Sequence, residues 1–243
     1  MKRIFILFLS LFALIGCQST PSNQNLKDGT VTRMEKVKNY DGLIRHYKSE
    51  LEQNEHDPKV KEKLAKAYFQ KGDIESANFY VQYLRKKGIK TASLYQLEGQ
   101  IFDADNKTEN AINAYLSSIQ LGNQSGHIHV LLGVSYAKLG KYDEAYEELN
   151  NARLRGYDDT AIKNNIAMIH MAKNEYEKAI GILAPALRNN PENEVLKSNL
   201  AIALMRDQQI DVAKQLLEDD FSKRELNSIA SELGRSGVNH EEY

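Results

Sequence analysis

Small residues return along this chain every 34 positions, at Ala77, Ala111, Ala145, Ala179 and Ala213. Twelve positions before each stands another small residue: Ala65, Gly99, Gly133, Ala167 and Ala201. Five positions before each alanine comes a turn-type or polar residue (Gly72, Asn106, Gly140, Asn174, Gln208). Four positions after comes a large apolar one (Val81, Tyr115, Leu149, Leu183, Leu217). Tyr68, Phe102, Tyr136, His170 and Leu204 fill a further register, three positions after the first small residue. A fixed period shared by independent residue classes means a repeat array, in which each unit is one supersecondary element that buries its apolar face only by stacking on neighbours. The spacing predicts two helices per unit, joined by a tight turn. Small residues belong where the helices cross and their backbones approach. Gly inside a helix costs about 1 kcal/mol relative to Ala, so Gly99 and Gly133 imply crossings that crowd even a methyl group. The Gly and Asn of the turn register suit the left-handed residue that ends many helices.

Five units run from Pro58 to about Asn227. Upstream, residues 40–57 read as a partial unit, with Leu43 in the alanine register and Tyr47 in the large apolar one. Downstream, Ser222 to Leu233 reads as a capping helix, and residues 228–243 hold its end and a frayed tail. Terminal units of such arrays need an atypical, polar outer side. Composition agrees with helix: there are four prolines and no tryptophan, and good helix formers are plentiful.

The chain opens with a different pattern. Lys2 and Arg3 precede an apolar run from Ile4 to Ile15, broken only by Ser10. The run is shorter than the roughly 20 residues of a membrane span and fits the apolar core of a secretory signal. It ends in Leu14-Ile15-Gly16-Cys17, which resembles the bacterial lipobox. That resemblance implies cleavage after residue 16 and lipid on Cys17, the chain's single cysteine. Acyl chains anchor stably when there are two or more, at about 0.8 kcal/mol per buried CH₂. Gln18, standing where an Asp tends to retain a lipoprotein at the inner membrane, implies outer-membrane delivery if the cell is Gram-negative, with the protein then facing the periplasm. Residues 17–39 are polar and without sustained period, so they read as a flexible tether, with a helix over residues 33–38 only weakly supported.

The third unit states the pattern most fully: Leu132-Gly133-x-x-Tyr136, then Gly140-Lys141-Tyr142-Asp143-Glu144-Ala145. It resembles the tetratricopeptide repeat (TPR) family. The resemblance implies an all-α solenoid of helix-turn-helix units with a concave wall made mainly by first helices. The array departs from the family pattern at Glu98, where an aliphatic is usual, and at Asp220, where a small residue is usual. Only the fourth unit ends with the family proline, Pro191. The C-terminal third is similar to TadD-type lipoproteins of tight-adherence (Flp) pilus systems. The shared stretches are Asn165-Ile166-Ala167, Asn174-Glu175-Tyr176-Glu177-Lys178-Ala179, Pro191-x-Asn193, Ser198-Asn199-Leu200-Ala201 and Ala213-x-x-Leu216-Leu217-x-Asp219. That likeness implies a non-enzymatic outer-membrane scaffold that binds a secretin or other pilus-assembly subunits. The alternatives are a pilotin-like lipoprotein of type IV pili and an envelope adaptor that recruits cell-wall hydrolases or synthases.

Asn165 and Asn199 share one register, and in peptide-binding TPR proteins Asn there bonds the backbone of an extended ligand. Asn164, Met168, Met171, Ser198, Ile202, Met205 and Arg206 share the expected wall. Two readings stand: a groove for a partner segment, or packing against the next helix. Catalytic motifs are missing: there is no Gly-rich phosphate loop, no Gly-x-Ser-x-Gly and no His-Glu-x-x-His. His127 and His129, two apart, fall on different faces of a helix, so no metal or other cofactor is expected. His170 reads as a structural histidine in a packing register. Tyr80, Tyr83 and residues 85–87 read as a solvated convex face. The formal net charge of −1 falls to −3 without Lys2 and Arg3. It gives no clustered basic face for nucleic acid, and no small-molecule substrate is implied.

Overall fold

The computed structural model describes residues 23–218, together with Arg224, Glu225 and Ser228. The signal over residues 1–16, Cys17, and the capping helix and tail beyond residue 218 (those three residues apart) lie outside the described residues. Within them there are twelve helices and no strand: α1 (Asn23–Lys36), α2 (Tyr40–Gln53), α3 (Pro58–Lys71), α4 (Ile74–Lys86), α5 (Ala92–Ala104), α6 (Thr108–Gln120), α7 (Gly126–Lys138), α8 (Tyr142–Leu154), α9 (Asp159–Ala172), α10 (Tyr176–Asn189), α11 (Glu194–Arg206) and α12 (Ile210–Leu217).

Each unit pairs an odd-numbered first helix with the even-numbered helix that follows. First helices begin on side-chain caps. Asp57, Thr91, Ser125, Asp158 and Asn193 accept backbone N–H bonds at the starts of α3, α5, α7, α9 and α11, each worth about 1 kcal/mol. The helices α6, α8, α10 and α12 have no such cap. They start two residues after a left-handed residue that closes the helix before. Gly72, Asn106, Gly140, Asn174 and Gln208 all have φ between 57° and 89°. The amides of Lys107, Lys141, Glu175 and Gln209 then reach back to the carbonyls of Phe102, Tyr136, His170 and Leu204 at 2.8–3.0 Å. This is a Schellman-type close, which satisfies carbonyls that would otherwise be left open.

The five alanines of the 34-residue register have no exposed surface, and neither have Ala65 and Ala167. A Cβ placed on Gly99 would lie 2.5 Å from Tyr115 Cδ1, and one on Gly133 would lie 3.2 Å from Leu149 Cγ and the carbonyl of Ala145. The glycines therefore mark the crossings expected to be tightest, and Gly99 faces the largest side chain of its register.

Two expectations need correction. The polar segment read as a tether through residue 39 is helical over Asn23–Lys36. Its Val31 and Met34 pack against the cluster of Leu43, Ile44 and Tyr47. The partial unit is thus a helix pair, α1–α2, closed like the others by a left-handed residue, Lys38, with φ 54°. Its apolar content is too sparse to show a period but sufficient for one-sided packing. The aromatic surface on α4 is also less solvated than its composition suggests. Tyr80 and Tyr83 are half-buried against the core of the first full unit, and Arg85 reaches across to the next unit.

First helices touch the first helices of adjacent units (α3–α5, α5–α7, α7–α9, α9–α11), whereas among the described residues no two second helices meet. The first helices therefore lie closer together, and the array curves with them on the inside. That inner wall positions the candidate site.

Candidate functional site

One register runs down the middle of the wall, one position after each small first-helix residue: Lys66, Gln100, Val134, Met168 and Ile202. Met168 and Ile202 are 41% and 37% exposed, high values for apolar side chains, and Val195 beside them is 60% exposed. The wall thus changes from charged through amide to aliphatic along the solenoid.

Between α7 and α9 the wall opens into a cavity of about 320 Å³, floored by Gly133, Leu149 and Ile169 and sided by Val134, Ala137, Met168 and Ala172. Its rim carries the Asn165 amide and the Lys138 amine. The cavity exists because Ala137 stands where other units have Phe69, Asp103 or Met171. An apolar hole of about 150 Å³ already admits a benzene ring, so this one accepts a large apolar side chain.

The residues singled out from the sequence divide into groups. Asn165 and Met168 line the cavity. Ser198 and Ile202 are exposed on the same wall one unit on, and Arg206 is half-buried there. Asn199 and Asn164 meet each other, Asn199 Nδ2 donating to Asn164 Oδ1 at 2.7 Å, so they tie α11 to α9. Met171 is half-buried against the C-terminal core. Met205 is a correction: it is 3% exposed within the cluster of Leu200, Leu204 and Ala213. In α11, the last first helix among the described residues, that side chain turns inward, and it belongs to the packing and not to the wall. The sequence reading missed Val134, Ala137, Lys138 and Ala172. The repeat period could have found the first two, which stand 34 residues before Met168 and Met171.

Polar ties fix the wall's geometry. Asp103 accepts from Tyr115 Oη at 2.8 Å, Ser135 Oγ at 2.9 Å and Lys138 Nζ at 2.9 Å, joining the second and third units. Glu98 lies 3.4 Å from Arg85, whose guanidinium also covers the Tyr95 ring. Burial raises the Glu98 pKa against the lowering pull of Arg85, so this inter-unit pair stands in for the usual aliphatic. His170 Nδ1 lies 2.6 Å from Glu175 Oε2, and its Nε2 faces Tyr146 Oη at 3.4 Å. That bond to His170 leads the causes that lower the Glu175 pKa to about 2. His127 stacks on Tyr157. His129 is buried with Nδ1 2.5 Å from Glu148 Oε2. The two rings serve separate contacts, and among the described residues no group of three His, Cys, Asp or Glu is placed to hold a metal. No described helix is long and apolar enough to cross a membrane.

Residues 130–194 match the tetratricopeptide repeat family, and the architecture over all described units is that of a TPR solenoid. A TPR repeat-containing protein of Methanocaldococcus jannaschii is 28% identical over 155 residues, 60% of this chain and 27% of that protein. The chain thus spans about a quarter of the length of that curated relative. Among solved structures it is similar to a thermophilic TPR protein of Thermus thermophilus, TTC0263 (19% identity, TM-score 0.60, 75% of this chain and 99% of that one). It is similar also to YrrB, described as a TPR protein with an unusual peptide-binding site (16%, 0.56, 76% and 97%). PilF of Pseudomonas aeruginosa is a further match (15%, 0.54, 74% and 89%). At these identities the structural likenesses establish the fold.

Proposed function

We propose that this chain is a non-enzymatic scaffold whose inner wall holds a segment of a partner protein. Lipid on Cys17 holds it at the outer membrane, facing the periplasm, where it serves assembly of a Flp pilus secretion apparatus and aids placement or assembly of the secretin. The observation that carries the binding reading is the cavity between α7 and α9 and the exposed Met168–Ile202 strip that continues from it. Isolated exposed apolar residues are ordinary on protein surfaces, whereas contiguous ones beside a concavity mark interaction sites. The peptide-binding site ascribed to YrrB, on the same fold, supports the reading. So do the C-terminal stretches similar to TadD-type lipoproteins and the lipobox-like residues 14–17.

A photo-crosslinking residue placed at Met168 in growing cells tests this directly, with Phe79 on the second helix α4 as the outward-facing control. Adducts with a secretin or pilus-assembly subunit from position 168 and not from 79 are expected. Adducts with a cell-wall hydrolase or synthase would move the assignment to the adaptor. Equal adducts from both positions would refute the inner wall as the site.

A further inference from the structure

We infer that the occupant of the inner wall is an acidic segment that seats one large apolar side chain between α7 and α9 and lays its carboxylates over Lys59, Lys63 and Lys66 of α3. The inference rests on the scaffold reading and names the chemistry of the partner. It comes from the uneven charge of the wall. Residues 23–90 hold fifteen Lys and Arg against ten Asp and Glu, whereas residues 91–218 hold twelve against seventeen. On the inner face of α3 this excess becomes a ridge of three exposed lysines bordering a second, polar concavity between α3 and α5. None of the three is ion-paired among the described residues. Lys63 has only the Tyr47 ring, 5.9 Å away.

The one carboxylate on the same face, Glu62, is already engaged. The Thr91 hydroxyl donates to it at 3.0 Å and the Ser93 hydroxyl also bonds it. Its role is to clamp α5 to α3, and the lysine charge faces outward uncompensated. Lys66 also reaches electrostatically across the concavity: after burial, its charge is the second cause lowering the His127 pKa on α7. A cationic ridge in a concavity draws in anionic partners and sets their orientation more than it sets raw affinity.

The two ends of the wall therefore demand different things of one ligand. At α7–α9 the cavity takes an apolar anchor, and the Asn165 amide on its rim is placed to bond a ligand's backbone. At α3–α5 the lysines take carboxylates. Neighbouring helices lie about 8–10 Å apart, so the two seams are separated by two spacings, roughly 20 Å. An extended chain covers that in about six residues at roughly 3.3 Å each. The segment is thus one in which an aromatic or large aliphatic residue stands about six positions from a cluster of Asp or Glu.

The test pans a display library of random 12-residue peptides against the full chain in mild detergent, then measures the selected peptides by fluorescence anisotropy. Enriched sequences are expected to carry the anchor and the acidic cluster at a separation of five to seven. Lys63→Glu with Lys66→Glu should weaken them at least tenfold at low salt and abolish or reverse the sign of their salt dependence. Ala172→Phe, at an exposed rim position, should weaken them similarly without changing that dependence. Far-UV circular dichroism checks that each variant is folded. Peptides that lose binding in Ala172→Phe but show no acidic preference and no response to the lysine changes would overturn the inference and leave the groove standing. Peptides indifferent to both variants, or no enrichment at all, would overturn the inference and the groove together.

Discussion

The Gly99→Ala substitution puts the crossing argument at risk. A helix interior gains about 1 kcal/mol when Gly becomes Ala, so the change stabilises unless the new methyl meets resistance. At position 99 that methyl lies 2.5 Å from Tyr115 Cδ1. Tyr115 is fully buried, and its hydroxyl is held 2.8 Å from Asp103, so the ring yields only by straining that bond, worth about 1 kcal/mol. Overpacking typically costs about 1–3 kcal/mol. The net expected is a loss of about 1–2 kcal/mol, or roughly 2–8 °C in Tm for a domain of this size. Gly133→Ala faces contacts of 3.2 Å and should fall within about 1 kcal/mol of neutral. The third, fourth and fifth units carry Leu149, Leu183 and Leu217 in the register of Tyr115, so Tyr115→Leu offers a native-like relief. On that background Gly99→Ala should become neutral or stabilising, a coupling of about 2 kcal/mol. Urea denaturation followed by circular dichroism measures all four members of the cycle. Because repeat arrays lose cooperativity between units, hydrogen exchange of α5 and α6 amides localises the effect. An equal penalty for Gly99→Ala with Tyr or Leu at position 115 would refute the steric account.

Further outcomes separate packing from binding. Asn199→Ala should cost about 1 kcal/mol by removing the bond to Asn164, whereas Asn165→Ala should leave urea stability unchanged and weaken groove ligands. Glu175, lowered to about 2 in the fold chiefly by His170, contributes stability that is fully present above its unfolded pKa, near 4.5. That stability fades as pH falls from there toward 2, so His170→Gln should flatten the fall of Tm over this window. Gly181→Ala, on a helix face where a Cβ meets nothing within 4 Å, should raise stability by about 0.5–1 kcal/mol in urea titrations. Cys17→Ser should shift the protein from the membrane to the soluble fraction on cell fractionation, with unchanged circular dichroism. Persistence in the membrane would end the lipid reading.

Much of the fold was legible because its determinants are local and periodic. The burial of Ala77 through Ala213, the crowding at Gly99 and Gly133, and the left-handed turns at Gly72, Asn106, Gly140, Asn174 and Gln208 follow from residue size and backbone freedom at fixed spacing. The wall was legible only in part. A position on a first helix says which side a residue takes, not whether a neighbour covers it. Asn165 and Asn199 share a register, yet Asn199 bonds Asn164 while Asn165 borders a cavity, because Ala137 and Ala172 leave space beside one and not the other. Met205 and Met171 share a register as well, but Met205 is enclosed within the cluster of Leu200, Leu204 and Ala213 whereas Met171 is only half-buried against it.

The N-terminal unit shows how far the same logic extends. Lys38 stands 34 residues before Gly72 and adopts φ 54°, a conformation that disfavours any residue bearing a Cβ unless its surroundings impose it. Two bonds impose it here: the Asn39 amide reaches the Met34 carbonyl at 2.8 Å, and the Asn39 side chain caps α2 through the Gly42 amide at 2.9 Å. Composition hid this turn, since nothing about lysine suggests it and the segment through residue 39 reads as a tether, although Leu43 follows Lys38 by five positions as Ala77 follows Gly72. The geometry of a repeat is therefore enforced by neighbours once a few units state it well, and a weakly written unit is drawn into the form of the strongly written ones beside it. The same dependence makes α1 the element with least to hold it. Among its described side chains, Val31 and Met34 are the ones packed on the core, so Met34→Ala should release α1 to fast hydrogen exchange while α3 to α11 keep their protection.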